Sequence, residues 1–88
     1  MLDTVKTLCY LSGVSGYEDE VREYILERAM PYASSVETDP LGNLIIYKKG
    51  AVSTGRKLML CAHMDEVGLV VTHIDDDGYL RFGFAGGI

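Results

Sequence analysis

The sequence predicts an α/β fold: two N-terminal helices followed by about five strands. Three observations carry this. Apolar residues recur at helical spacing in the first thirty or so positions and stop at a proline. Short apolar and β-branched runs, separated by turn residues, follow. One of these runs, Leu58-Met59-Leu60-Cys61-Ala62, is apolar without alternation, as expected of a strand buried on both faces.

Leu2, Val5, Leu8, Cys9 and Leu11 form the first helical stripe. Ser12-Gly13 and Ser15-Gly16 interrupt it. Ser15 followed by Glu18 fits a capping box for a second helix, and Asp19 and Glu20 place negative charge in its first turn, where the helix dipole favours it. That helix runs through Val21, Tyr24, Ile25 and Ala29 and should stop at Pro31; Glu20, Arg22, Glu23 and Glu27 read as its solvated face. Ser35-Val36-Glu37-Thr38 and Leu44-Ile45-Ile46-Tyr47 read as strands around the turn Asp39-Pro40-Leu41-Gly42-Asn43. Residues 48–56 form a polar, glycine-bearing connection to the apolar run at 58–62. A further strand spans 67–74, Asp75-Asp76-Asp77-Gly78 is a hairpin turn, and Tyr79-Leu80-Arg81-Phe82 returns. The three aspartates lack the twelve-residue loop and distal glutamate of an EF-hand. Gly83 to Ile88 run on without a capping element, and strands this apolar need more cover than two helices offer.

A chain of 88 residues, 48% apolar and 24% charged, suits one small globular domain. Its net charge of −5 argues against nucleic acid or an anionic membrane as partner, since both reward basic patches. No apolar stretch approaches the roughly 20 residues of a membrane span. Met1 to Lys6 do not resemble a secretory signal, so a cytoplasmic protein is expected. Cys9 and Cys61, with no C-x-x-C, read as two buried, reduced thiols.

The chemistry centres on His63-Met64-Asp65-Glu66, directly after the apolar run. In open α/β sheets ligands collect at the carboxyl ends of the strands, and charged groups are costly to bury unless paired or bound to metal. On a strand, His63 and Asp65 share a face, roughly 7 Å apart at the backbone, while Met64 points away. A metal-ligating histidine has a second ring N–H that needs an acceptor, and a carboxylate there fixes the tautomer and orientation. Two readings stand side by side: a solvated turn at a strand end, or His63 as metal ligand with Asp65 as its orienting partner. His73, in a predicted strand, reads as structural.

Taken in order, Ser15-Gly16-Tyr17-Glu18, Asp39-Pro40-Leu41-Gly42-Asn43-Leu44, Cys61-Ala62-His63-Met64-Asp65-Glu66-Val67-Gly68, Asp77-Gly78-Tyr79-Leu80-Arg81-Phe82 and Gly86-Gly87 resemble the start of the dinuclear-metal aminopeptidases known as glutamyl, deblocking or tetrahedral aminopeptidases, some of whose relatives carry an endoglucanase label. The resemblance covers essentially the whole chain. It implies the N-terminal part of a metallopeptidase α/β catalytic domain, with residues 1–88 an incomplete segment of it. It implies removal of N-terminal residues from peptide substrates by a water activated by two divalent ions, zinc or cobalt. His63 matches a terminal metal ligand and Asp65 the catalytic-site acid that orients it; Glu66 receives no role. The family's bridging aspartate, general-base glutamate, its neighbouring glutamate ligand, one further acidic ligand and a distal histidine are expected beyond Ile88. So is the small β-barrel domain that builds its twelve-subunit shells. The chain is therefore expected to be part of a roughly fourfold longer enzyme, to be inactive alone and to bind no metal stably. Its assembly state is not set by the resemblance, although homo-oligomers are expected.

Two other readings compete. One is a non-catalytic module that self-associates through an uncovered sheet. The other is a different metal-dependent hydrolase using His-x-Asp, such as an amidohydrolase. That class places His-x-His at its first strand, whereas position 65 here is Asp.

Overall fold

The computed structural model describes residues 1–52 and 55–88. They form two compact units, residues 1–21 with 64–88, and residues 22–63. The fold is mixed α/β, and the described residues hold two α-helices and four strands in two antiparallel hairpins.

In the first unit, α1 (Leu2–Tyr10) follows the predicted stripe. It ends where Leu11 turns to extended backbone, its N–H still donating to the Thr7 carbonyl at 3.2 Å. The Thr7 hydroxyl donates back to the Asp3 carbonyl at 2.9 Å, a bond that holds the helix interior but lends it no burial. Strands β3 (Gly68–Ile74) and β4 (Leu80–Ala85) pair from Gly68 opposite Ala85 to Ile74 opposite Leu80. The register slips between Val71 and His73, leaving Thr72 as the extra residue of a bulge. Strand β4 is longer than predicted: Gly83, Phe84 and Ala85 belong to it, because Gly68 to Val70 supply their pairing partners. Phe82 and Phe84 meet edge to face at 5.9 Å.

Helix α2 (Asp19–Ala29) begins in the first unit and continues into the second. It gives way to a 3-10 turn, Met30–Tyr32, that carries Pro31, as the proline predicts. Strands β1 (Ser35–Thr38) and β2 (Leu44–Tyr47) pair in full register, and the Ser34 amide extends the ladder to the Tyr47 carbonyl at 2.7 Å. Arg28 stacks over the Tyr24 ring at 4.9 Å.

Both hairpin turns use one device. The first residue is an aspartate whose Oδ1 accepts from two amides: those of Leu41 and Asn43 for Asp39, those of Asp77 and Tyr79 for Asp75. The fourth residue is a glycine in the left-handed region, Gly42 at φ +88° and Gly78 at φ +85°. In each case the glycine amide returns to the aspartate carbonyl, at 2.9 and 3.1 Å. Asp-x-x-Gly thus closes both hairpins.

Three expectations need correction. Among the described residues there are four strands, not about five: Leu58–Ala62 forms none. A strand buried on both faces needs neighbours on both edges. Each observed strand instead pairs with its sequence neighbour, where closing a short loop costs little entropy. The second correction follows: Leu58, Met59 and Leu60 are 87%, 83% and 87% exposed, and Cys61 and Cys9 are free but exposed rather than buried. The third is the capping box. The helix starts at Asp19, so Ser15 lies three residues before its cap and its hydroxyl goes elsewhere. Apolar cover is as thin as the composition of the strands suggested. Among the described residues Val21 is the one buried hydrophobic side chain, at 6% exposure.

Candidate functional site

The segment from Ser12 to Tyr17 builds the site in the first unit. It runs beside Met64–Glu66: the Glu66 amide donates to the Gly13 carbonyl at 2.7 Å, and Val14 and Glu66 form a parallel bridge. This approach needs two glycines. A Cβ on Gly13 would lie 2.9 Å from Val21 Cγ2 and 3.4 Å from the Met64 carbonyl oxygen. A Cβ on Gly68 would collide with the γ-methyls of Val14. Either side chain would push the two segments apart.

The segment is also closed on itself. The Tyr17 amide donates to the Val14 carbonyl at 2.7 Å, the Gly16 amide to Glu18 Oε1 at 2.7 Å, and the Ser12 amide to Glu20 Oε2 at 3.2 Å. Gly16, at φ +87°, makes the turn. The outcome is a fixed position for the Ser15 hydroxyl, which donates to Asp65 Oδ2 at 2.5 Å. That is a short, charge-assisted contact.

Asp65 is half-buried and lies in the first unit. His63 is exposed and is the last residue of the second. The structure thus brings Asp65 to Ser15. No local pattern could have revealed this pairing, because the two residues are fifty positions apart. His73 is exposed on β3 opposite Arg81. Among the described residues no group of three or more His, Cys, Asp or Glu side chains is placed to hold a metal ion. Imidazole nitrogens and carboxylates are the donor types such a site uses. None of the helices among the described residues is long and apolar enough to cross a membrane.

Residues 42–88, which include His63 and Asp65, match the family described as M42 glutamyl aminopeptidase, and the chain belongs to that family. A lysyl aminopeptidase of Pyrococcus furiosus is 41% identical over 87 residues, covering 98% of this chain and 24% of the relative. The solved structure of an aminopeptidase from Desulfurococcus kamchatkensis matches with a TM-score of 0.89 at 40% identity, over 98% of this chain and 24% of that one. That of a protein called an endoglucanase, from Thermotoga maritima, matches with a TM-score of 0.86 at 44% identity, over 94% and 26%. The resemblance read from the motifs is therefore correct, including its endoglucanase-labelled branch. The chain spans about a quarter of the length of these relatives.

Proposed function

We propose that residues 1–88 are the N-terminal segment of the catalytic domain of a metal-dependent aminopeptidase that releases N-terminal residues from peptides. The observation that carries this reading is the family match across 42–88, which contains the His63-Met64-Asp65-Glu66 block. Two divalent ions, zinc or cobalt, supply an activated water and polarise the scissile carbonyl when bound.

The roles of this chain follow from donor chemistry. His63 would give one ring nitrogen to an ion. Asp65 would accept a hydrogen bond from the N–H of the other ring nitrogen, holding the imidazole in one tautomer and one orientation. A catalytic zinc site usually has three protein ligands, and His63 is one. Catalysis accordingly belongs to the complete polypeptide, with further ligands supplied from outside residues 1–88. Expressed alone, the segment is inactive and holds no ion tightly.

The test uses the complete polypeptide. His63→Ala should abolish peptide hydrolysis and lower the metal content of purified protein. Asp65→Asn should leave the fold intact and weaken metal affinity by about 10- to 100-fold. Full activity and metal content in either variant would remove the assigned role.

A second reading, a self-associating module, is favoured by one observation. Leu69, Val70, Val71, Phe82 and Phe84 on the β3–β4 hairpin are all more than half exposed. The result that favours it is a stable homo-oligomer of the 88-residue chain with no hydrolytic partner sequence in the natural polypeptide.

A further inference from the structure

We propose that Ser15 is a positioning residue of the metal site, acting through Asp65. The proposal rests on the reading of His63 as ligand and Asp65 as its orienting carboxylate. Its own evidence is separate and lies wholly within the first unit.

The contact is direct. Ser15 Oγ donates to Asp65 Oδ2 at 2.5 Å, the short end of the range for a hydroxyl on a carboxylate. The backbones on either side of the contact are tied together. The Glu66 amide is tied to the Gly13 carbonyl, Val14 pairs with Glu66, and Gly13 is buried with no room for a side chain. The Ser15 side is closed again by the Tyr17 and Gly16 hydrogen bonds.

The chemistry explains why a hydroxyl belongs there. The terminal torsion of aspartate is broad, so the carboxylate plane is poorly set by the side chain itself. A donor fixed on Oδ2 sets that plane and thereby the direction of Oδ1. A carboxylate that must hold an imidazole in one orientation needs this constraint. Ser15 is thus one bond further out than Asp65 and should matter less than Asp65 itself. It lies outside residues 42–88, the part of the chain that carries the family match.

The experiment is a cobalt(II) titration of the metal-free complete polypeptide against a competing chelator, following the visible absorption of the bound ion. Ser15→Ala should weaken cobalt binding about tenfold, the lower edge for outer partners of a metal-ligating histidine, and alter the absorption bands. Ser15→Thr, which keeps the hydroxyl, should restore both to within about threefold of the parent. If Ser15→Ala does not fold, Ser15→Cys, which keeps the volume but donates weakly, takes its place with the same expectation. Wild-type affinity and spectrum in Ser15→Ala, alongside a clear loss in His63→Ala, overturn the positioning role alone. An unchanged His63→Ala protein overturns the underlying reading and this proposal with it. Equal losses in the Ala and Thr variants, with equally lowered melting temperatures, mean a structural contact and also overturn the proposal.

Discussion

Val14 lies against Gly68 so closely that a Cβ at position 68 would fall 3.2 Å from one γ-methyl and nearer still to the other. The contact joins the segment before α2 to the first residue of β3. It shares Val14 with the Val14–Glu66 bridge, whose two residues are the chain neighbours of Ser15 and Asp65.

Gly68→Ala should therefore destabilise the protein by about 1–3 kcal/mol, the usual cost of forcing a methyl group into occupied space. Val14→Ala removes both γ-methyls and should relieve most of that cost. A double-mutant cycle measured by denaturant unfolding checks this, and additive effects of the two substitutions would refute the packing account.

Asp39 offers a pH signature. The Asn43 side chain donates to its Oδ2 at 2.7 Å, and the Asn43 and Leu41 amides donate to Oδ1 at 2.9 Å each. These donors, the Asn43 side chain foremost, hold its pKa below the ordinary aspartate value. A carboxyl whose folded pKa is depressed contributes stability above its unfolded pKa, about 3.9, and loses it as the pH falls through the lower folded value. Asp39→Asn should melt at a lower temperature than the parent at pH 7. The gap should narrow below about pH 4. A gap of constant size from pH 7 to pH 3 would count against this origin.

The two hairpin glycines differ in a useful way. A Cβ on Gly78 meets open space, while one on Gly42 comes within 2.9 Å of Arg22 Nη1, whose guanidinium donates to the Gly42 carbonyl at 3.1 Å. Gly78→Ala should cost about 1–2 kcal/mol from the left-handed backbone alone. Gly78→Asn should cost less, because asparagine tolerates that region. Gly42→Ala should cost more than Gly78→Ala, since it also displaces Arg22. Thermal unfolding of the three variants gives the order directly.

The β3–β4 hairpin should govern association of the isolated segment. Leu69 and Phe84 are paired across the ladder and are 52% and 67% exposed. Charges on a bare sheet oppose pairing with another chain. Leu69→Lys with Phe84→Lys should shift the 88-residue chain towards monomer in sedimentation experiments at fixed concentration. An unchanged mass distribution would locate association elsewhere.

Local chemistry in the sequence was enough for the two helices, both turns and the two hairpins. A helical stripe ended by Pro31 and an Asp-x-x-Gly turn between apolar runs act over a few residues, so their outcome depends little on the rest of the molecule. Local pattern also singled out His63 and Asp65, because polar groups at the end of an apolar run are conspicuous in any context. Two matters were decided by tertiary structure. The apolar run at 58–62 has the composition of a central strand, but such a strand exists only when other strands lie on both its edges, and here it remains exposed coil. Ser15 carries a capping signature that local rules read as a helix start. Its hydroxyl instead reaches a carboxylate fifty residues away, because Gly13, Val14 and Gly68 let two distant backbone segments close to contact distance. Long-range approach of this kind depends on what is small enough to be packed against, and no spacing rule along a single chain records it.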